Sequence, residues 1–184
     1  MPRFVALLRG INVGKARRIP MKELRALFAE QGLDEVTTYI ASGNVLFTAA
    51  RAPDARLLQE ALGERFGFPD VPVVVCAEAA FRRIAGANPF ACEGVDPARS
   101  HVGFLGGAPA AAAGDALAVL RKADDERLAL AAGALYLDAP SGLARTKLTP
   151  AALEAALGTT VTLRNLRTVR ALLGRLDESA AASA

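Results

Sequence analysis

The apolar positions of this chain follow two rhythms that alternate along its length. Phe4–Arg9 is a continuous apolar run of strand length, and Pro20–Gln31 carries Met21, Leu24, Leu27 and Phe28 at helical spacing. Val36–Ile40 and Asn44–Thr48 are short β-rich runs on either side of Ala41-Ser42-Gly43, the pattern of a hairpin. Asp54 stands as the N-cap of a helix bearing Leu57, Leu58, Ala61, Leu62 and Phe66, and Gly67 is placed to end it. Val71–Cys76 returns to strand. The predicted order is βαββαβ, that of a ferredoxin-like unit.

The second half predicts the same order. A connecting helix over Glu78–Ala87 and an irregular stretch around Asn88-Pro89-Phe90 lead to a strand at His101–Leu105 and a helix starting at Pro109. Arg127–Ala131 and Ala134–Asp138 form a hairpin turning at Ala132-Gly133. Thr149 and Pro150 open a helix as N-cap and first-turn proline, and Thr160–Leu163 is a short strand before a terminal helix. The expected fold class is therefore α+β: two ferredoxin-like βαββαβ halves arising by internal duplication, with a connecting helix and a C-terminal helix. The expected divisions are 1–77, 78–100, 101–176, and a disordered tail over 177–184.

Composition narrows the class. With 184 residues and 52% hydrophobic content, folding buries about 70% of the unfolded surface. No apolar run reaches the length of a membrane span, and MPRFVALLRG meets charge too early for a signal peptide, so a soluble cytoplasmic protein without membrane association is expected. Cys76, Cys92 and the single His101 are too few for a disulfide framework or a zinc site, so no metal and no cofactor are assigned. Met1–Glu30 holds seven basic and two acidic residues and Ala144–Arg175 six and one, net +5 each, against +3 for the whole chain. Two basic ends around an acidic middle describe either one positive surface or two separate solvated faces.

Five motifs stand in order: Arg9-Gly10-Ile11-Asn12-Val13-Gly14, Tyr39-Ile40-Ala41-Ser42-Gly43-Asn44-Val45, Ala87-Asn88-Pro89-Phe90, Thr146-Lys147-Leu148 and Arg164-Asn165. In this arrangement, from about Arg3 to about Leu176, the chain resembles the bacterial domain-of-unknown-function family numbered 1697. The resemblance implies a two-part α+β fold of ferredoxin-like units in a small bacterial cytosolic protein, with no established activity or catalytic residues. The sequence departs from the family pattern at Lys15-Ala16-Arg17-Arg18, where members usually carry a further glycine and an asparagine. It departs again at Leu166-Arg167, where members usually carry an aromatic residue and then an asparagine.

Arg9–Gly14 is the leading candidate for ligand contact: glycines admit an anion close to backbone N–H groups, and Arg9 and Asn12 add directional donors. Its spacing is neither a Walker loop nor GxGxxG. Ser42-Gly43-Asn44 reads as a tight turn, expected at the opposite end of the half from the Arg9–Gly14 loop and so unable to share a small site with it. Pro140–Leu148 places Gly142, Arg145, Thr146 and Lys147 before a helix N-terminus, a second anion site. Arg164, Arg167, Arg170 and Arg175 are expected on the polar face of the terminal helix. The candidate ligand-binding residues are Arg9, Asn12, Gly14, Lys147, Arg164 and Asn165.

No catalytic constellation emerges. His101 has no partner in sequence, Cys76 ends an apolar run, and Asp124-Asp125-Glu126 reads as a solvated turn. RNA-recognition stacking is disfavoured because Asn44 and Leu46 stand where aromatics are needed. The leading function is binding of a phosphate-bearing small molecule or nucleotide through basic loops. The alternatives are sequence-independent nucleic-acid binding, and a homodimer that pairs through its sheets.

Overall fold

The computed structural model describes residues 1–14 and 17–182; Lys15 and Ala16 of the departing segment, and the last two residues of the expected tail, lie outside the described residues. The chain divides into two compact units, Met1–Phe81 and Arg82–Ala184. The first contains β1 (Arg3–Leu8), α1 (Met21–Glu30), β2 (Asp34–Tyr39), β3 (Asn44–Thr48), α2 (Ala55–Phe66) and β4 (Val73–Ala77), with α3 (Glu78–Gly86) crossing the division. The second contains β5 (Ser100–Leu105), α4 (Ala113–Ala118), β6 (Arg127–Ala131), β7 (Ala134–Asp138), α5 (Pro150–Leu157), β8 (Val161–Asn165) and α6 (Leu166–Ala182). The sheets are ordered β2-β3-β1-β4 and β6-β7-β5-β8, antiparallel throughout, so each unit is a ferredoxin-like βαββαβ and the two halves repeat one architecture.

Alternation along the central strands sets the cores. In the first unit Phe4, Ala6 and Leu8 of β1 and Val45 and Phe47 of β3 pack with Leu24, Leu27 and Phe28 of α1 and Leu58 and Leu62 of α2. Phe4 and Phe47 stack with ring centroids 5.6 Å apart on this helix side, so neither serves the opposite face of the sheet. In the second unit Leu135 and Leu137 of β7 pack with Leu117 of α4 and Leu153 and Leu157 of α5. Local signals end the helices as expected. Asp54 accepts from the Arg56 N–H, Gly67 closes α2 with a left-handed φ of 74°, and Thr149 accepts from the Ala152 N–H ahead of Pro150.

Three expectations are corrected. Residues from Pro109 to Ala112 are not helical: the Ala110 N–H donates to the Leu157 carbonyl at 2.8 Å, and α4 begins at Ala113. α6 runs on to Ala182, and Arg82 reaches Asp177 at 2.7 Å, so the segment expected as a tail is helical as far as it is described. Arg164 belongs to β8, in register with Val102, not to the polar face of α6. No helix of the described residues is long and apolar enough to cross a membrane.

Candidate functional site

The expectation that the Ser42–Asn44 turn lies far from the Arg9–Gly14 loop is wrong. A crossover through α1 makes β1 and β2 parallel and leaves β3 between them, antiparallel to both. Leu7 is therefore opposite Asn44, and the β2–β3 turn returns to the C-terminal end of β1. The Leu8 N–H donates to the Gly43 carbonyl at 2.8 Å, and Gly43, with φ 79°, has no room for a side chain because a Cβ would stand 2.8 Å from that of Leu8.

Asn12 fastens the two loops together. Its own φ of 54° is left-handed, a conformation asparagine tolerates. Its Nδ2 donates to the carbonyls of Ile19 at 2.9 Å and Ala41 at 2.8 Å, while its Oδ1 accepts from the Ile19 N–H at 2.9 Å. Both amide donors are thus committed within the protein, and Asn12 shapes the loop. Arg17 pairs with Asp70 and is similarly committed.

Between these loops opens a cleft of about 480 Å³, walled by Asn12, Gly14, Arg18, Ile19, Pro20, Met21 and Ala41. Pro20 precedes α1 without a side-chain cap, so the positive end of the helix dipole opens onto this cleft, beside the exposed Arg18. Val13, 69% exposed, and Ile40, 52% exposed, are apolar residues on the same two loops. Ile40 has a φ of 48°, a left-handed conformation that a β-branched side chain rarely adopts.

Arg9 does not line this cleft. It follows the end of β1, where its N–H donates to the Pro72 carbonyl at 3.0 Å, and strand alternation puts Val5 and Leu7 on the face of the first sheet opposite α1 and α2. Tyr39 and Asn44, paired across β2 and β3, share that face. The buried Asn44 donates from Nδ2 to the Tyr39 carbonyl at 3.1 Å and to Ser42 Oγ at 3.0 Å. The C-terminal end of β1 and the Tyr39–Asn44 motif thus meet at one end of the sheet, which sequence reasoning missed by setting β1 and β3 parallel.

The remaining candidates belong to the second unit. Lys147 is exposed, and its carbonyl accepts from the Thr149 N–H at 2.9 Å at the start of α5. Gly142, in the same loop, has φ 83° and is pressed by the Arg99 guanidinium. Burial pushes the Arg164 guanidinium down to about 10, so it stays cationic at neutral pH. Its Nη1 donates to the Leu163 carbonyl at 2.9 Å. Thr162, two residues before it on the same strand, is fully buried, and its hydroxyl has no hydrogen-bond partner among the described residues. Asn165 accepts from the Thr168 N–H at 2.9 Å and so caps α6.

The acidic run is not a solvated turn throughout. Glu126 is buried and accepts from the Ala123 N–H at 2.8 Å, and Asp125 accepts from the Ser141 hydroxyl at 2.6 Å, a bond that holds its carboxyl below the ordinary range. His101 donates from Nδ1 to the Arg99 carbonyl at 2.8 Å, and burial holds its imidazole below the ordinary 6.5. No group of three His, Cys, Asp or Glu side chains among the described residues is arranged to hold a metal ion.

These observations define a duplicated ferredoxin-like α+β protein whose first unit carries a fastened, glycine-containing loop beside an open cleft. The chain belongs to the protein family of unknown function DUF1697, whose model matches residues 1–136 and so takes in that cleft but not Lys147, Arg164 or Asn165. Among solved structures it is similar to the conserved bacterial protein SP0830 from Streptococcus pneumoniae, with a TM-score of 0.71 and 24% identity over 94% of this chain and 97% of that one. No curated protein matches the chain.

Proposed function

We propose that this protein binds a phosphate-bearing small molecule, such as a nucleotide, in the cleft between the β1–α1 loop and the β2–β3 turn. The observation that carries this reading is the convergence of the uncapped α1 N-terminus, the exposed Arg18 and a left-handed Gly14 on one cleft of about 480 Å³. Backbone N–H groups and the Arg18 guanidinium recognise the phosphate. Met21 lines the space left for the uncharged part of the ligand, and the exposed Val13 and Ile40 stand on the two loops that flank it. Asn12 is a positioning residue, and Arg9, Lys147, Arg164 and Asn165 are not needed at this site.

The test is calorimetric titration of the purified protein with inorganic phosphate, nucleoside mono- and triphosphates and sugar phosphates. Arg18→Ala should weaken binding about 10- to 100-fold, the value of one charge-assisted contact, and Lys147→Ala should leave it unchanged. With no Trp and two Tyr, retained nucleotide also dominates the ultraviolet spectrum of the purified protein. Absence of binding across the panel, or binding indifferent to Arg18→Ala, overturns the reading. Association only with nucleic acid, falling steeply with salt, replaces it with the electrostatic alternative.

A further inference from the structure

The two units repeat one architecture but treat their equivalent edge strands differently. β2, at the edge of the first sheet, carries Asp34 and Glu35, shifts register between Asp34 and Thr37, and has Glu35 at a left-handed φ of 51°. A bulge and charged side chains on the strand are how proteins prevent a sheet edge from pairing with another chain. β6, at the edge of the second sheet, reads Arg127-Leu128-Ala129-Leu130-Ala131 and pairs with β7 in unbroken register. It has no bulge, and its one charged residue, Arg127, is paired with Asp138 of its own sheet.

The outward hydrogen-bonding groups of β6 follow from its hairpin. Ala132 and Gly133, at φ 51° and 71°, form a two-residue turn, so Ala131, Ala129 and Arg127 direct their backbone groups toward β7. Leu128 and Leu130 therefore direct theirs away from the sheet. The side chains of these two leucines lie on the helix side, against a hollow of about 170 Å³ that the short α4 leaves beside Leu117, Ala118 and Lys122. Val119, at the end of α4, is 82% exposed.

We infer that the β6 edge is an interface for a second copy of this chain, the two β6 strands pairing antiparallel about a two-fold axis through Ala129. The strand is self-complementary about that residue. Leu128 then exchanges both backbone hydrogen bonds with the other copy's Leu130, and Leu130 with the other Leu128. Ala129 meets its own counterpart in the close, non-hydrogen-bonded pair, where Cα atoms stand only about 4.5 Å apart and a small side chain fits. Arg127 faces an alanine rather than another arginine. It is also already neutralised within its own sheet by Asp138 at 2.6 Å and lies over the Phe90 ring at 4.7 Å. A partner with a charged edge strand would set its charges against two leucines, whereas a second β6 matches in both backbone and side chains. The pairing joins two four-stranded sheets into one of eight and brings Leu128 and Leu130 of both copies together.

The test is sedimentation equilibrium of the intact protein across a wide concentration range, with Ala129→Glu and Ala129→Lys variants made separately and then mixed. Ala129 is half-exposed, so either charged tip reaches solvent in the monomer, and circular dichroism confirms folding. Wild type should reach twice the mass of one chain. Each variant alone sets like charges directly opposite and should weaken association at least tenfold, and the equimolar mixture should restore it as a heterodimer. A wild type monomeric at every concentration overturns the proposal. So does a dimer indifferent to either charge, or two monomeric variants whose mixture stays monomeric.

Discussion

Replacing Asn12 by alanine tests the fastening of the site directly. The side chain forms three hydrogen bonds, two to Ile19 and one to Ala41, at 2.8 to 2.9 Å. Each is worth about 0.5–1.5 kcal/mol net, and the Ala41 bond, being exposed, takes the low end. Alanine at a φ of 54° adds about 1 kcal/mol of left-handed strain. The expected loss is about 3 kcal/mol. For a unit of this size a urea m-value of about 1–2 kcal/mol/M converts that loss into a midpoint lowered by about 1.5–3 M. Because the chain lacks tryptophan, far-ultraviolet circular dichroism is the readout. Asn12→Gly removes the same bonds without the strain and should recover about 1 kcal/mol. A midpoint shift below about 0.5 M for Asn12→Ala would refute the reasoning, since water would then replace the amide at no cost.

Two further outcomes are expected. Gly43→Ala drives a Cβ to within 2.8 Å of Leu8 and 3.0 Å of Ile11 at a φ of 79°, and should cost several times the roughly 1 kcal/mol of Gly14→Ala, where φ is 61° and nothing lies within 4 Å; equal losses in urea unfolding would contradict the close contact. His101 is the single histidine, and burial holds its pKa below 6.5 against the upward pulls of the Arg99 carbonyl and the Asp138 carboxylate. The folded state then binds fewer protons than the unfolded one, so this contribution to stability is full above pH 6.5 and declines as pH falls toward the folded pKa. The difference in Tm between wild type and His101→Gln should therefore shrink from about pH 7 to about pH 5, and a constant difference would show that the imidazole titrates alike in both states.

How much of this protein could be read from its sequence depends on the range of the interactions involved. Periodicity of apolar residues, the Asp54 and Thr149 caps, the Gly67 stop and the Ala132-Gly133 turn are local signals, and each acts where the sequence puts it. The β6–β7 hairpin has the expected bounds because a two-residue turn sets its register without outside help. α4 departs because Pro109–Ala112 is held by a backbone bond from Ala110 to Leu157, far along the chain. Arg164 departs because strand pairing with Val102 outweighs the helical spacing of the arginines that follow it. Glu126 is buried rather than solvated because its carboxylate turns back to the Ala123 N–H.

The candidate site shows the same division. Sequence alone identified the β1–α1 loop as glycine-containing and polar, and the hydrophobic spacing alone determined that two βαββαβ halves follow one another. Which loops meet was decided by the strand order: β3 inserts antiparallel between β1 and β2, and Gly43 arrives against Leu8. That same insertion turns Asn12 from a donor offered to a ligand into the residue that joins two loops. Arg18, which no motif singled out, lines the cleft because the loop folds back through Asn12 to Ile19 and delivers the chain there. A residue's type is written in the sequence, but its commitments are fixed by partners tens of residues away, which only the closed sheet brings within hydrogen-bonding reach.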